Sequence, residues 1–415
     1  MNRRFQFLVV TSSTCLLVLL LAGSFLSPSR AADDAYRQFA VYSEVLQKIK
    51  SEYVEEPDMK NVTLGALMGM LEAIDPYASY LSADQYKQYV KSNENRKGEV
   101  GLVLARRFGY LAIVDAIPGS AAAKAGLGTG DLLESVAGVA TRDMPLAFAG
   151  VLLHGDPGTK VDISVLRVRR GAEPQKMTLT REALPVPAVA SQVLSGDIGY
   201  VAAPGLNPAR IEDVARHARD LQGKGARRLV LDLRHNSIGK PEDGVALANL
   251  FLDRGLITYI EGQRVPRQNF EADPSKVSIR LPMVVITNRG TAGGAEVAAA
   301  ALLDNKRAEV VGERTYGDAA VRRALTLEDG SAVILSVAKY YSPGGKSIQD
   351  NAVMPSVPMI ESESVDLDEE SPEPAAPKPE EDPLVKKAIE VLSRGVSVAG
   401  SQRQPAGTPL DTPKN

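Results

Sequence analysis

Between Ile198 and Leu303 short apolar runs alternate with helical stretches, and nothing else in this 415-residue chain limits its fold as strongly. Gly199-Tyr200-Val201, Arg228 to Arg234 and Pro282 to Thr287 read as strands. The stretches near Asn207 to Gly223, Gly244 to Leu252 and Thr291 to Leu303 read as helices. Strands that alternate with helices require crossover connections, so the expectation is a mixed sheet with both faces covered.

Two other textures precede this region. From Tyr36 to about Glu94 the pattern is helical, with Phe39, Val45, Leu46, Ile49 and Tyr53, then Leu64, Leu67, Leu71 and Ile74, at three-to-four spacing. Asp75-Pro76-Tyr77 ends the second helix, because proline disfavours helical geometry in the residue before it. From Gly98 to about Ala183, β runs (Val100 to Leu104, Leu111 to Val114, Val161 to Val168, Lys176 to Thr180) are separated by glycine turns. The expected division is residues 1–31 as a leader, 32–97 helical, 98–184 β-rich, 185–360 the alternating core and 361–415 a tail. That tail is rich in Glu, Asp, Pro and Ser up to Pro383 and is expected to be disordered there. One short helix is expected at Leu384 to Leu392, with flexible chain beyond Gly395.

Composition narrows the function. Arg3 and Arg4, an apolar run from Phe7 to Leu26, and Ser29-Arg30-Ala31 have the order of a secretory signal cut after Ala31. The run is also long enough for an uncleaved membrane anchor, and either reading places the rest outside the cytoplasmic membrane, in the periplasm or its equivalent. Cys15, the only cysteine, lies inside that run, so the cleaved chain has neither a disulfide nor a thiolate nucleophile or metal ligand. With 48 basic and 51 acidic residues and no basic stripe, nucleic acid is not an expected partner. His154, His217 and His235 lack metal-ligand spacing, and no cofactor motif is present, so neither metal nor cofactor is expected.

Pro118 to Asp131 (Pro-Gly-Ser-Ala-Ala-Ala-Lys-Ala-Gly-Leu-Gly-Thr-Gly-Asp) resembles the signature of a PDZ domain. Gly98-Glu99-Val100-Gly101-Leu102-Val103 stands where such domains present backbone N–H groups to a terminal carboxylate. The resemblance implies that Gly101, Leu102 and Val103 bind protein or peptide C-termini by strand addition.

Leu71 to Tyr77, the PDZ signature, Asp232-Leu233-Arg234-His235-Asn236, Thr291 to Leu303 and Tyr340 to Gln349 follow one another as in the carboxyl-terminal processing (tail-specific) protease family, and the chain is identified as a member. The resemblance implies an α+β multidomain protein: a helical N-terminal region, a PDZ domain and a mixed α/β core similar to the Clp protease and crotonase fold. It also implies a serine peptidase whose base is a lysine, and a homodimer formed through the N-terminal helices.

The reactive atoms, however, are missing. Against a family pattern similar to Ser-Ala-Ser-Ala-Ser-Glu-Ile, Thr291 to Val297 puts Gly293 at the nucleophile. Against Phe/Tyr-Gly-Lys-Gly, Tyr316-Gly317-Asp318-Ala319 puts Asp318 at the base, and the assisting glutamine becomes Arg322. The oxyanion region, at Gly239 and Gly294, has lost the family's Asn-Pro-Gly-Gly to Asn236-Ser237-Ile238-Gly239. Glycine supplies no attacking atom, and nothing beside Asp318 in the motif offers it a hydroxyl proton. Thr291 is expected to cap the helix, and Ser237 is a second hydroxyl near the site. Arg322 is expected to pair with Asp318. Gly293-Gly294 is expected to admit a peptide carboxylate at the helix N-terminus. The leading expectation is a pseudoprotease that binds tails, an active protease or an envelope protein; the alternative is an active peptidase with a relocated nucleophile.

Overall fold

A computed structural model describes residues 29–94, 97–107, 109–167, 173–184, 186–194, 196–360 and 378–394. Residues 1–28, which hold most of the expected leader, the acidic stretch 361–377 and the chain from residue 395 lie outside the described residues.

The chain divides between Leu67 and Met68. The first unit holds helix α1 (Ser29–Glu52) and the start of α2 (Met59–Ile74). The Asp58 carboxylate accepts from the N–H groups of Lys60 and Asn61 and so starts α2. Phe39, Val45 and Tyr53, whose spacing marks α1 as a helix, are exposed.

In the second unit α2 ends at Ile74, as the following Asp75-Pro76 requires. Strand β1 (Ser79–Leu81) and helix α3 (Ala83–Glu94) follow. This stretch is therefore not purely helical: β1 joins a distant sheet, which no local pattern of three residues announces. The PDZ domain is built from β2 (Leu102–Arg107), β3 (Tyr110–Ala116), α4 (Ala121–Lys124), β4 (Leu132–Val136), β5 (Val139–Ala140), α5 (Leu146–Leu153), β6 (Lys160–Leu166) and β7 (Gln175–Thr180). Its sheet runs β2-β3-β4-β6-β7, with β5 paired to β4, so β2 is an edge. Ser120 caps α4 by accepting from the Ala123 N–H.

The core continues with β8 (Ala190–Val193), β9 (Ile198–Ala202), α6 (Pro208–Gly223), β10 (Arg228–Asp232), α7 (Pro241–Asn249), β11 (Leu256–Gly262), β12 (Val265–Glu271), β13 (Met283–Thr287) and α8 (Gly294–Asp304). It closes with β14 (Ala308–Gly312), β15 (Ala320–Thr326), β16 (Ala332–Tyr341), α9 (Ile348–Asn351), β17 (Val357–Pro358) and α10 (Pro383–Ser393). One sheet has the order β17-β14-β13-β10-β9-β8 and is parallel except for β8. Leu229, Leu231, Met283 and Val285 point into a core with Val214, Leu247 and Val297 from α6, α7 and α8. Val230, Val284 and Ile286 point the other way, under Leu384, Val385, Ala388 and Leu392 of α10. The apolar runs are thus continuous because both faces are covered. Asp382 holds α10 in place, accepting from the Leu384 and Val385 N–H groups and pairing with Arg234 at 2.8 Å.

A second core sheet, β1-β16-β11-β12 with β15 on β16, was not anticipated from sequence. Strand β12 exposes the continuous run Pro266 to Asn269 and β15 is interrupted by Arg322 and Arg323, so they lack the apolar runs that mark the buried sheet.

Helices α7 and α8 touch backbone to backbone. A Cβ on Gly244 would stand 1.9 Å from the Gly294 carbonyl oxygen, and one on Gly294 would stand 2.4 Å from that of Lys240. Gly244→Ala should accordingly lose at least about 2 kcal/mol, read as a lowered melting temperature, because two helix backbones must separate to admit one methyl group.

Candidate functional site

A cavity of about 770 Å³ lies between the PDZ domain and the core, lined by Leu102, Val103, Leu104 and His154 on one side and by Ile238, Gly239, Ala292 and Asp318 on the other. On the core side it opens at the start of α8. Gly293 is the helix cap, with φ +60° and ψ −118°, a conformation that disfavours any side chain. There is nevertheless room: the atoms nearest to an added Cβ are the carbonyl oxygens of Gly239 at 3.4 Å and Asp318 at 3.7 Å.

That detail corrects one expectation. Two carbonyl oxygens lie near this position, so a ligand's N–H or hydroxyl suits it better than the carboxylate expected there. Gly294 does not serve as an opening for a ligand either, since the space beside it is taken by the α7 backbone. Gly239 does line the cavity, at φ +135°.

Behind Gly293 lies a buried carboxylate. Glu296 Oε2 accepts from the N–H groups of Gly293 at 3.0 Å and Asp318 at 2.7 Å. Its Oε1 accepts from the Gly317 N–H at 2.7 Å and from the Thr315 hydroxyl. Burial pushes the Glu296 carboxyl up to about 7 in spite of these four donors. One side chain therefore joins the helix entrance at Gly293 to the loop at Gly317-Asp318, the two segments matched from sequence to the family's nucleophile and base.

Asp318 and Arg322 form the expected ion pair, and the Arg322 guanidinium lies 4.3 Å from the centre of the Tyr77 ring. Burial alone would lower the Arg322 pKa, but the adjacent Asp318 carboxylate reverses this and raises it. The Tyr77 hydroxyl donates to the Gly317 carbonyl at 2.8 Å. Asp75, two residues before it, accepts from the Ser336 N–H and from Gln349 Nε2, each at 3.0 Å. The Asp-Pro-Tyr and Ser-Ile-Gln segments thus brace the loop from opposite ends of the chain.

Thr291 is not the cap it was expected to be. It is fully buried, donates to the Leu233 carbonyl at 2.8 Å and accepts from the Asn288 N–H at 3.1 Å, which leaves its hydroxyl unavailable for attack. Ser237 Oγ, by contrast, is buried in the cavity wall without a hydrogen-bond partner among the described residues.

On the PDZ side Gly101 has φ +81°, and a Cβ there would stand 2.2 Å from that of Ser120, so glycine is required. Gly101, Leu102 and Leu104 face Leu146 and Leu153 of α5 across a pocket of about 170 Å³. Two contacts that sequence reasoning missed tie this domain to the core. His235 Nδ1 lies 2.8 Å from Asp115 Oδ2 on β3, and the Tyr316 hydroxyl donates to the Leu104 carbonyl on β2 at 2.6 Å. Their partners are 120 and 212 residues away in sequence, and no local pattern signals them.

A family model described as peptidase family S41 matches residues 197–359, and a PDZ domain model matches residues 113–167. The chain is 29% identical over 347 residues to the carboxy-terminal processing protease CtpA of Bacillus subtilis, spanning 83% of this chain and 74% of that protein. It is 30% identical over 360 residues to the carboxyl-terminal-processing protease of a Synechocystis species, spanning 85% and 82%. The solved structure of the photosystem II D1 C-terminal processing protease superposes with a TM-score of 0.61 at 26% identity, over 77% of this chain and 92% of that one.

The site generates two predictions. Reversing both charges, with Asp318→Arg and Arg322→Asp, should leave the melting temperature nearer to wild type than either single change; additive losses would exclude a coupled pair. The second concerns Glu296, whose folded value of about 7 lies above its ordinary 4.5. The folded chain then holds a proton that the unfolded chain lacks, so this contribution is complete below the ordinary value and is lost as the pH rises through about 7. Glu296→Gln cannot titrate, so the stability advantage of wild type over this variant should narrow across that interval in thermal melts.

Proposed function

As the chain belongs to peptidase family S41, in its carboxyl-terminal processing branch, we propose that it is a pseudoprotease that captures protein C-termini outside the cytoplasmic membrane without cleaving them. The observation that carries this reading is the state of the cleft. The helix entrance at Gly293 has no attacking atom, and Asp318 is engaged by Arg322, while the cavity remains continuous with the PDZ groove. Acyl transfer needs a nucleophile, a base and donors for the oxyanion at one point. Here the point nearest Gly293 carries two carbonyl acceptors.

Capture falls to the PDZ side. A terminal carboxylate would rest at the Gly101 loop, and the last side chain would enter the pocket between Leu102, Leu104 and α5. Clients would be exposed tails, whether of an active protease or of an envelope protein. The exported location rests on the N-terminal basic and apolar pattern. Homodimerisation is part of the same proposal, supported by the exposed apolar residues of α1.

A second reading keeps one observation in its favour: the unpartnered Ser237 hydroxyl in the cavity wall fits an active peptidase with a relocated nucleophile. One experiment separates the two. Purified residues 32–415 are incubated with casein and with an unstructured tail peptide, beside Ser237→Ala and a triple variant carrying Gly293→Ser, Asp318→Lys and Arg322→Gln. Tail binding without turnover by wild type, with turnover in the triple variant, is the expected result. Turnover by wild type that disappears in Ser237→Ala would establish the second reading.

A further inference from the structure

The Tyr316 contact bears on how a tail could bind at all, and it rests on the tail-binding reading above. Among the described residues strand β2 pairs only with β3, which leaves its other edge open. The Gly101 carbonyl accepts from the Ile117 N–H and so faces β3. Backbone groups alternate along a strand, so those of Leu102 and Leu104 face the open edge. The register shift after Val103 leaves this alternation intact because the extra residue, Val114, belongs to β3.

A tail added antiparallel to β2, with its carboxylate at the Gly101 loop, brings its third residue from the end opposite Leu104. Its N–H would donate to the Leu104 carbonyl. That acceptor is already in use, by the Tyr316 hydroxyl at 2.6 Å. Tyr316 itself is held by its backbone N–H to the Thr291 carbonyl at 2.9 Å and by the edge of its ring against Tyr77 at 5.8 Å. The two residues after it, Gly317 and Asp318, donate their N–H groups to Glu296.

We propose that Tyr316 and an incoming tail compete for the edge of β2, so that Tyr316 sets the affinity and length of tail the groove accepts. A tail that pairs through only its last two residues leaves Tyr316 in place. A tail that pairs through three or more displaces the hydroxyl and loosens the Gly317-Asp318 segment, which carries PDZ occupancy into the cleft. Competition from a single hydrogen bond corresponds to roughly a threefold to tenfold change in binding.

The test uses the full chain in mild detergent and fluorescein-labelled decapeptides that share a Gly-Ser stem and end in Ala, Val, Leu, Ile or Phe, each as free acid and as amide. Fluorescence anisotropy should show Tyr316→Phe binding the preferred free acid roughly threefold to tenfold more tightly than wild type. Hydrogen exchange at Gly317 and Asp318 of wild type should quicken when that peptide saturates the protein, a readout that does not depend on the variant folding. Equal or weaker binding by a folded Tyr316→Phe, or unchanged exchange at Gly317 and Asp318, would overturn the competition and leave tail capture standing. Failure of wild type and variant alike to bind any free acid would overturn both proposals.

Discussion

The cleft depends on one buried carboxylate. Glu296 is removed from water, which by itself would cost several kcal/mol, and the cost is offset in part by four converging donors, three backbone N–H groups and one hydroxyl, which still leave its carboxyl raised to about 7. Two of the N–H groups belong to Gly293 and Asp318, the positions matched from sequence to the family's nucleophile and base. The bonds are made by main chain, so the frame of the site is indifferent to what those side chains are. The loop and the helix entrance therefore stay joined whatever side chains Gly293 and Asp318 carry.

The charges at this point are mutually consistent as well. The Asp318 carboxylate alone would be uncompensated in a half-buried position, and Arg322, four residues on in β15, supplies the counter-charge. Tyr77 covers the guanidinium with its ring. Such a pair occupies the space in which a neutral base would have to move. This wall of the cavity is braced, and the opposite wall is formed by the PDZ domain.

That second wall is coupled to the first. His235 reaches Asp115 from the loop after β10, and Tyr316 reaches Leu104 from the loop before β15, so both loops that frame the cleft also touch the PDZ sheet. Of the two, the Tyr316 contact falls on a strand edge, on the acceptor for which a tail is proposed to compete. The geometry makes groove and cleft parts of one cavity with a shared set of hydrogen bonds.

Much of this was legible in the sequence, and the limits have a physical cause. Periodicity revealed β9, β10 and β13 with α6, α7 and α8 because a doubly covered parallel sheet needs uninterrupted apolar runs, and Asp75-Pro76 marked the end of α2. The same signals missed β12 and β15, whose exposed faces interrupt the apolar pattern, and β1, which is too short to have one. At the site, sequence alone determined that Gly293 has no attacking atom and that Asp318 cannot act as a lysine would, since side-chain chemistry is a property of the residue. Tertiary structure decided the rest: that Thr291 is consumed by Leu233 and Asn288, that Gly294 makes room for a neighbouring helix, and that Tyr316 sits on the PDZ edge. Those facts depend on which atoms from distant segments converge on one point, and that convergence is created by packing.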